Sequence, residues 1–245
     1  YGPNNAILIV AGDVSRDDVR ALAQEHYGVI PANPLVEARS RPQEPPHLSE
    51  RRLVFSDPRI SQPYVIRSYR APERDSGDQA KAAALSYLSE ILGGSSATSV
   101  LGQKLEFEER KAVYTSAFYD GVSLDDSSFG LVIVPVPGRS VEEAEADLDA
   151  VIAKFLEDGV DPEQFDRIKR GIRASRIYAR DSLQGRARRY GEALTAGLTV
   201  DDIEQWPDVL DAVTPEDVLA AARALFDKRR SVTGYALTST EEVTQ

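Results

Sequence analysis

The chain has 245 residues, enough for one large or two modest domains, and its 42% hydrophobic and 28% charged content is ordinary for a globular fold. A formal net charge of -11 argues against nonspecific nucleic-acid binding by the surface as a whole, and the lack of cysteine excludes a disulfide framework and any thiolate metal site. No apolar run approaches the roughly 20 residues that a membrane-spanning helix requires.

The first element is Ala6 to Ala11 (AILIVA), an apolar run of strand length turned by Gly12-Asp13. Ser15 is placed to cap a helix from Arg16 to about Tyr27. Asp17 and Asp18 suit its first turn, Val19, Leu22 and Ala23 give its buried side, and Gly28 stops it. Pro31 to Leu48 holds Pro31, Pro34, Pro42, Pro45 and Pro46, a density that keeps the backbone extended and reads as a linker. Arg51 to Ser56 and Gln62 to Arg70 read as strands. In the second, Tyr64, Ile66 and Ser68 face one way and Val65, Arg67 and Tyr69 the other.

Asp78 to Leu92 is a helix with Ala82, Leu85, Leu88, Ile91 and Leu92 inward. It should stop at Gly93-Gly94, because each glycine costs roughly 1 kcal/mol inside a helix. A polar loop, Ser95 to Ser99, leads to a short amphipathic helix from Val100 to Lys111. Ala112 to Tyr119 then switches to period two and reads as a strand, closed by Asp120-Gly121. Phe129 to Val136 is a second apolar strand to pair with it.

Ser140 with Glu143 forms a capping box for a helix running to Asp158, with Val141, Ala144, Leu148, Val151, Ile152 and Phe155 inward and Gly159 at its end. Asp161 caps the next helix and Pro162 takes its first position. The apolar pattern from Phe165 can be followed to Gly197, long enough that a break is expected near Asp181-Ser182 or Gly185. From Asp166 to Arg189 this stretch holds nine Lys or Arg against two Asp. No aromatic or glycine pattern of an RNA-binding face accompanies them, so they read as a solvated face or a surface meeting an acidic partner. Val200 to Leu210 and Thr214 to Phe226 are the last helices, the latter opened by Thr214-Pro215-Glu216-Asp217, and Arg230 to Leu237 is the final strand.

Helix, Gly93-Gly94 turn, short helix and strand, with Lys104-Leu105-Glu106-Phe107-Glu108-Glu109-Arg110-Lys111 in the short helix and Tyr114 beyond it, resemble the second domain of the pitrilysin/insulinase-type zinc metallopeptidases. The group includes the mitochondrial processing peptidases. The opening Y-G-P-N-N-A-I-L-I-V-A-G-D-V resembles the run that closes the family's first domain, and Tyr190 to Leu225 resembles the helices before its closing strand. The resemblance implies an α+β fold, a two-layer domain with a mostly antiparallel sheet and helices packed on one face. It implies residues 1–30 as the end of a preceding related domain, 31–50 as a Pro-rich linker, 51–238 as the metallopeptidase-like second domain and 239–245 as a tail. With no methionine and a start inside a family run, the chain is expected to be a fragment, the zinc motif H-x-x-E-H lying before Tyr1.

The implied function is that of the catalytically silent C-terminal domain of a zinc endopeptidase, forming part of a chamber that holds an unfolded peptide. The alternative is a noncatalytic scaffold or core subunit on the same fold. The implied partners are the N-terminal half of the same protein, a second homologous subunit and the peptide substrate, with no nucleic acid and no membrane span. The family also suggests an extracytoplasmic setting. Tyr114, Gly93 and Gly94 are the substrate-binding residues that the resemblance carries over, although the residues themselves read Tyr114 first as an aromatic strand residue packed on a helix. No catalytic residue is expected. Many members place an arginine seven residues before the tyrosine; here that position is Phe107, which offers neither charge nor donors to an oxyanion and is expected to pack. Arg110 leaves the helix on another bearing and reads as a solvated charge. His26 and His47 lie 21 residues apart, each without a histidine three or four residues away, so no helical metal pair exists. Zinc is expected only in the missing half. No nucleophile elbow, Walker A or dinucleotide-binding run is present.

Overall fold

The structure, a computed structural model, describes residues 2–37, 40–41, 45 and 47–239. Five strands form one sheet: β1 (Arg51–Asp57), β2 (Tyr64–Ala71), β3 (Ala112–Tyr119), β4 (Ser127–Pro135) and β5 (Ser231–Thr238). Their order is β1-β5-β2-β4-β3, with β1 parallel to β5 and every other pair antiparallel. The alternation in β2 sorts its side chains as its sequence demands. Val65, Arg67 and Tyr69 are at most 2% exposed, whereas Tyr64, Ile66 and Ser68 lie half-buried on the opposite face.

The inner face is covered by α2 (Ala80–Gly93), α3 (Val141–Asp158) and α7 (Pro215–Leu225). Leu88, Ile91, Leu92, Leu148 and Val218 from these helices meet Phe129, Leu131 and Ile133 of β4 in the main core. This is the two-layer α+β arrangement with helices on one face. Beyond it, α4 (Pro162–Ala179), α5 (Leu183–Thr195) and α6 (Val200–Ala212) extend the helical layer, with a small second core of Ala193, Leu198 and Ile203. The long apolar pattern breaks at Asp181-Ser182, where Ser182 Oγ accepts from Gly185 N at 3.0 Å and starts α5. Capping boxes open α3 (Ser140 with Glu143), α6 (Thr199 with Asp202) and α7 (Thr214 with Asp217).

The N-terminal part departs from expectation. Ala6 to Ala11 forms no strand; Ile7, Leu8 and Val10 are about half exposed. Helix α1 (Arg16–His26) forms with Ser15 as its cap, yet buries no residue, and Leu22 is 55% exposed. A strand needs a ladder partner and an amphipathic helix a surface; no strand of the described residues pairs with the run, and Val19 and Ala23 of the helix are covered only in part. In the proline-rich stretch, the described residues, Pro31, Pro34 and Pro45 among them, carry no helix or strand. Pro42 and Pro46 lie outside the described residues, as does the tail from Thr240.

Two polar clusters pin the layers. Arg67, though 1% exposed, is ion-paired with Glu145 and Asp149 of α3 and donates to Thr233 Oγ1 at 3.0 Å. Arg52 of β1 reaches the same Glu145 at 2.6 and 2.8 Å and donates to Tyr235 Oη at 2.7 Å. Burial works to raise the Glu145 pKa, but the hydrogen bonds from Arg52 and Tyr235 and the charge of Arg67 outweigh it and hold the carboxyl at about 2. The second cluster centres on Asp202, which accepts from Ser76 Oγ (2.7 Å), Gly77 N (3.0 Å), Thr199 N (2.8 Å) and Thr199 Oγ1 (2.6 Å), tying the approach to α2 onto α6. Those bonds, Ser76 first, depress its pKa strongly. Arg74 beside it lies 4.1 Å over the Trp206 ring and donates to Asp202 O at 2.8 Å; burial lowers its pKa to about 10.

Candidate functional site

The end of α2, the loop after it and edge strand β3 form one unit. Gly93 is the last residue of α2, and a Cβ there would collide with the backbone of Ser116 and Ala117 in β3. Its glycine is therefore demanded by close helix–strand approach, not by an unusual φ. Gly94 is exposed, and a Cβ there would press on the side chain and backbone of Glu90. The loop then folds on itself, Thr98 N and Ser99 N both donating to Ser95 O, at 2.9 and 2.7 Å. From α4, buried Gln164 donates through Nε2 to Thr98 O at 2.7 Å and Ile91 O at 3.4 Å, holding the loop against the end of α2.

The short helix starts at Val100, as its sequence suggests, but from Gly102 to Glu108 it is a π-helix. Glu109 N donates to Lys104 O at 3.0 Å, the i to i−5 bond of that helix type, and Arg110 leaves it at φ +52°. The wider turn changes which side chains meet β3. Glu106 Oε1 accepts from both Thr115 N (2.7 Å) and Thr115 Oγ1 (2.6 Å). Phe107 is 57% exposed, which overturns the expectation that it packs: the wider π-turn takes it off the buried α-helical stripe. Arg110 is exposed, as read from sequence.

A bulge between Ala112 and Tyr114 bends β3, and Tyr114 stands 50% exposed, so the packed-aromatic reading of Tyr114 does not hold. Two residues along the same face, at strand spacing past Ser116, Phe118 covers Gly130 of β4, its directly paired neighbour; a Cβ at Gly130 would lie inside the Phe118 ring. The structure thus brings Gly93 onto the strand that carries Tyr114, while the Tyr114 side chain faces solvent. Glu106 and Gln164 are the site residues that sequence reading missed. Glu106 depends on the π-turn and Gln164 on tertiary packing, and neither leaves a local pattern.

The donor set does not fit a metal. His26 is exposed, His47 is half-buried in the proline-rich stretch, and among the described residues no group of three His, Cys, Asp or Glu could hold an ion.

The model of the peptidase M16 inactive-domain family matches residues 1–172. This chain belongs to the M16 peptidases, as their inactive domain. An uncharacterized zinc protease of Mycobacterium leprae is 27% identical over 235 residues, which is 94% of this chain and 50% of that protein. Zinc protease PqqE of Helicobacter pylori is 26% identical over 172 residues, 69% of this chain and 37% of that protein. The chain thus spans no more than half the length of these curated relatives. Among solved structures, a protease from Helicobacter pylori superposes with a TM-score of 0.84 at 21% identity, covering 96% of this chain and 56% of that one. A peptidase M16 inactive domain from Pseudomonas fluorescens gives 0.72 at 21%, covering 94% and 53%. The periplasmic protease PqqL from Escherichia coli gives 0.70 at 19%, covering 93% and 25%. The M16 inactive domain accordingly has the sheet and helical layer described above and carries no metal-binding group among its described residues.

Proposed function

We propose that this M16 domain is the C-terminal part of a zinc endopeptidase whose metal motif lies in an N-terminal half, and that it walls a chamber around an unfolded peptide. The match of residues 1–172 to the inactive domain carries the reading. It agrees with relatives about twice the length of this chain that are named as zinc proteases. Residues 1–30 would then close the preceding domain, whose absent strands and core would pair with Ala6 to Ala11 and cover α1. Residues 31–50 would link it to a second domain over 51–238, and 239–245 would be a tail.

Within the site, Tyr114 is the residue we assign to the peptide, through its exposed ring, while Gly93 and Gly94 shape the turn. Peptide addition along the β3 edge is not available at Thr115, whose N–H and hydroxyl are already held by Glu106. With Phe107 at the seven-back position, the domain lacks the arginine that many members use. A second homologous subunit would supply that charge. The same departure favours a second reading, a noncatalytic scaffold. An extracytoplasmic setting follows the periplasmic PqqL; among the described residues no helix is long and apolar enough to cross a membrane.

The test is an assay of unstructured peptides with this chain, the full-length protein, and the full-length protein with its candidate partner. Cleavage only in samples containing the N-terminal half supports the peptidase reading, and a need for the partner supports a shared site. Chelator-sensitive cleavage by this chain alone would refute it. No cleavage in any sample would favour the scaffold.

A further inference from the structure

The helical layer holds a cleft that the site above does not use. It lies among α2, α6 and α7 where they meet the end of β2, and its volume is about 1100 Å³. That is the scale of small-molecule sites, roughly 300–1,000 Å³. It shares no residue with the turn and edge strand that carry Gly93 and Tyr114. The sequence explains the space. On α7, Ala220, Ala221 and Ala224 follow Asp217 at i+3, i+4 and i+7, and on α2 Ala80 and Ala84 are spaced i and i+4, so each helix turns one short-sided face to the cleft.

The walls restrict what can enter. Twelve of the seventeen lining residues are Ala, Val, Leu or Pro, and the other five are charged. No aromatic ring is present to stack on a base or a sugar, and no hydroxyl or amide side chain to orient one. Most of the lining is helical, and helical N–H and C=O groups are already bonded to one another, so an extended peptide finds no ladder. Such walls suit a saturated alkyl chain.

The five charges then choose the head group. Arg70 is ion-paired with Asp126. Asp217 accepts from Thr214 N at 3.0 Å and from Thr214 Oγ1 at 2.7 Å in the capping box of α7. Lys81, in the first turn of α2, and Arg230, just before β5, remain; both are exposed and neither is ion-paired among the described residues. Arg230 stands beside Arg70, because Tyr69 and Ser231 are partners in antiparallel register. An aliphatic trough therefore carries two uncompensated cations, in a chain whose net charge of -11 repels anions elsewhere.

We propose that this cleft binds a long-chain carboxylate, its alkyl chain lying along α2 and α7 and its head group held by Lys81 and Arg230. The full-length protein is titrated calorimetrically with octanoate, decanoate and dodecanoate below their micelle concentrations. One saturable site per chain is expected, with affinity rising about fourfold per added CH₂, the equivalent of ~0.8 kcal/mol. Dodecan-1-ol should bind at least tenfold more weakly than dodecanoate. A224W fills the trough from an exposed position of α7 and should abolish binding; A220L, on the same face, takes its place if A224W melts early. K81E and R230E should each weaken binding at least tenfold while keeping the parent's thermal melting. Absence of saturable binding by all three acids would overturn the proposal. So would binding that ignores chain length or survives in a folded trough-filling variant. Equal binding of the alcohol, or unchanged binding in both charge variants, would overturn the anionic head group. Dodecyl phosphate binding tenfold more tightly than dodecanoate would overturn the carboxylate in favour of a phosphate head.

Discussion

Replacing Gly93 with alanine sets two magnitudes against each other. Alanine is favoured over glycine in a helix by up to about 1 kcal/mol, and somewhat less at a last helical residue. Against this, the new Cβ would overlap the backbone of Ser116 and Ala117. Backbone in a sheet cannot swing away as a flexible side chain does, and overpacking of this kind costs about 1–3 kcal/mol or more. The clash should win, giving a net loss of about 0.5–2.5 kcal/mol or more, which at about 2–4 °C per kcal/mol for a chain of this size lowers the Tm by roughly 1–10 °C. Gly171→Ala is the matched control. It lies inside α4 with open space around its Cβ, so only the helix term acts and stability should rise by about 0.5–1 kcal/mol. Urea unfolding of both variants, compared at unchanged m, reads the signs directly. A Gly93→Ala variant with a midpoint at or above that of the parent would refute the helix–strand argument. If that variant kept its stability but lost peptide binding in the full assembly, ligand approach would be the reason for the glycine.

Glu106→Ala should cost about 1–3 kcal/mol, since the buried Thr115 would lose the acceptor for two donors; Glu106→Gln, which keeps an acceptor, should cost less in the same urea titration. Phe107→Ala should change stability by less than about 1 kcal/mol, because the ring is mostly exposed, and a larger loss in denaturation would show that it packs after all. The Glu145 carboxyl is lowered from its ordinary 4.5 to about 2 in the folded state, so it stabilises the fold fully above about pH 4.5 and loses that contribution as pH falls toward 2. The contribution is about 3 kcal/mol, and Glu145→Gln should flatten the acid limb of a stability-versus-pH curve; identical acid limbs in parent and variant would contradict the assignment.

What was legible in the sequence was what sequence neighbours decide. Ser140 with Glu143, Thr214 before Pro215, and the stop at Gly93-Gly94 are settled within four residues, and each sits where the local pattern put it. The alternation of β2 gave the inward set correctly, Arg67 included. It could not say why a guanidinium belongs there, because its partners Glu145 and Asp149 are 78 and 82 residues away. The π-turn escaped because it differs from an α-turn by one residue in hydrogen-bond span, too little to alter an apolar pattern over seven positions. Its effect is confined to two side chains within the turn: Phe107 comes out of the packing and Glu106 goes onto β3. The N-terminal apolar run shows the opposite failure, since its pattern is that of a strand while the described residues supply no ladder for it.

The bulge at Val113 sets the phase of everything after it. In β3 the buried positions run Ala112, Thr115, Ala117: a step of three across the bulge, then a step of two. Before the bulge the even residue looks inward, and beyond it the odd ones do. Threading the same residues through a plain pleat, with Ala112 held and Val113 taking a ladder position of its own, would invert that parity. Tyr114 and Phe118 would turn toward α2, Thr115 and Ala117 would turn to solvent, and Gly130 would lose its aromatic cover. The exposure of Tyr114, on which any role with a peptide depends, is thus a property of the residue beside it. The same sequence paired without the bulge would carry the same tyrosine with nothing to offer a ligand.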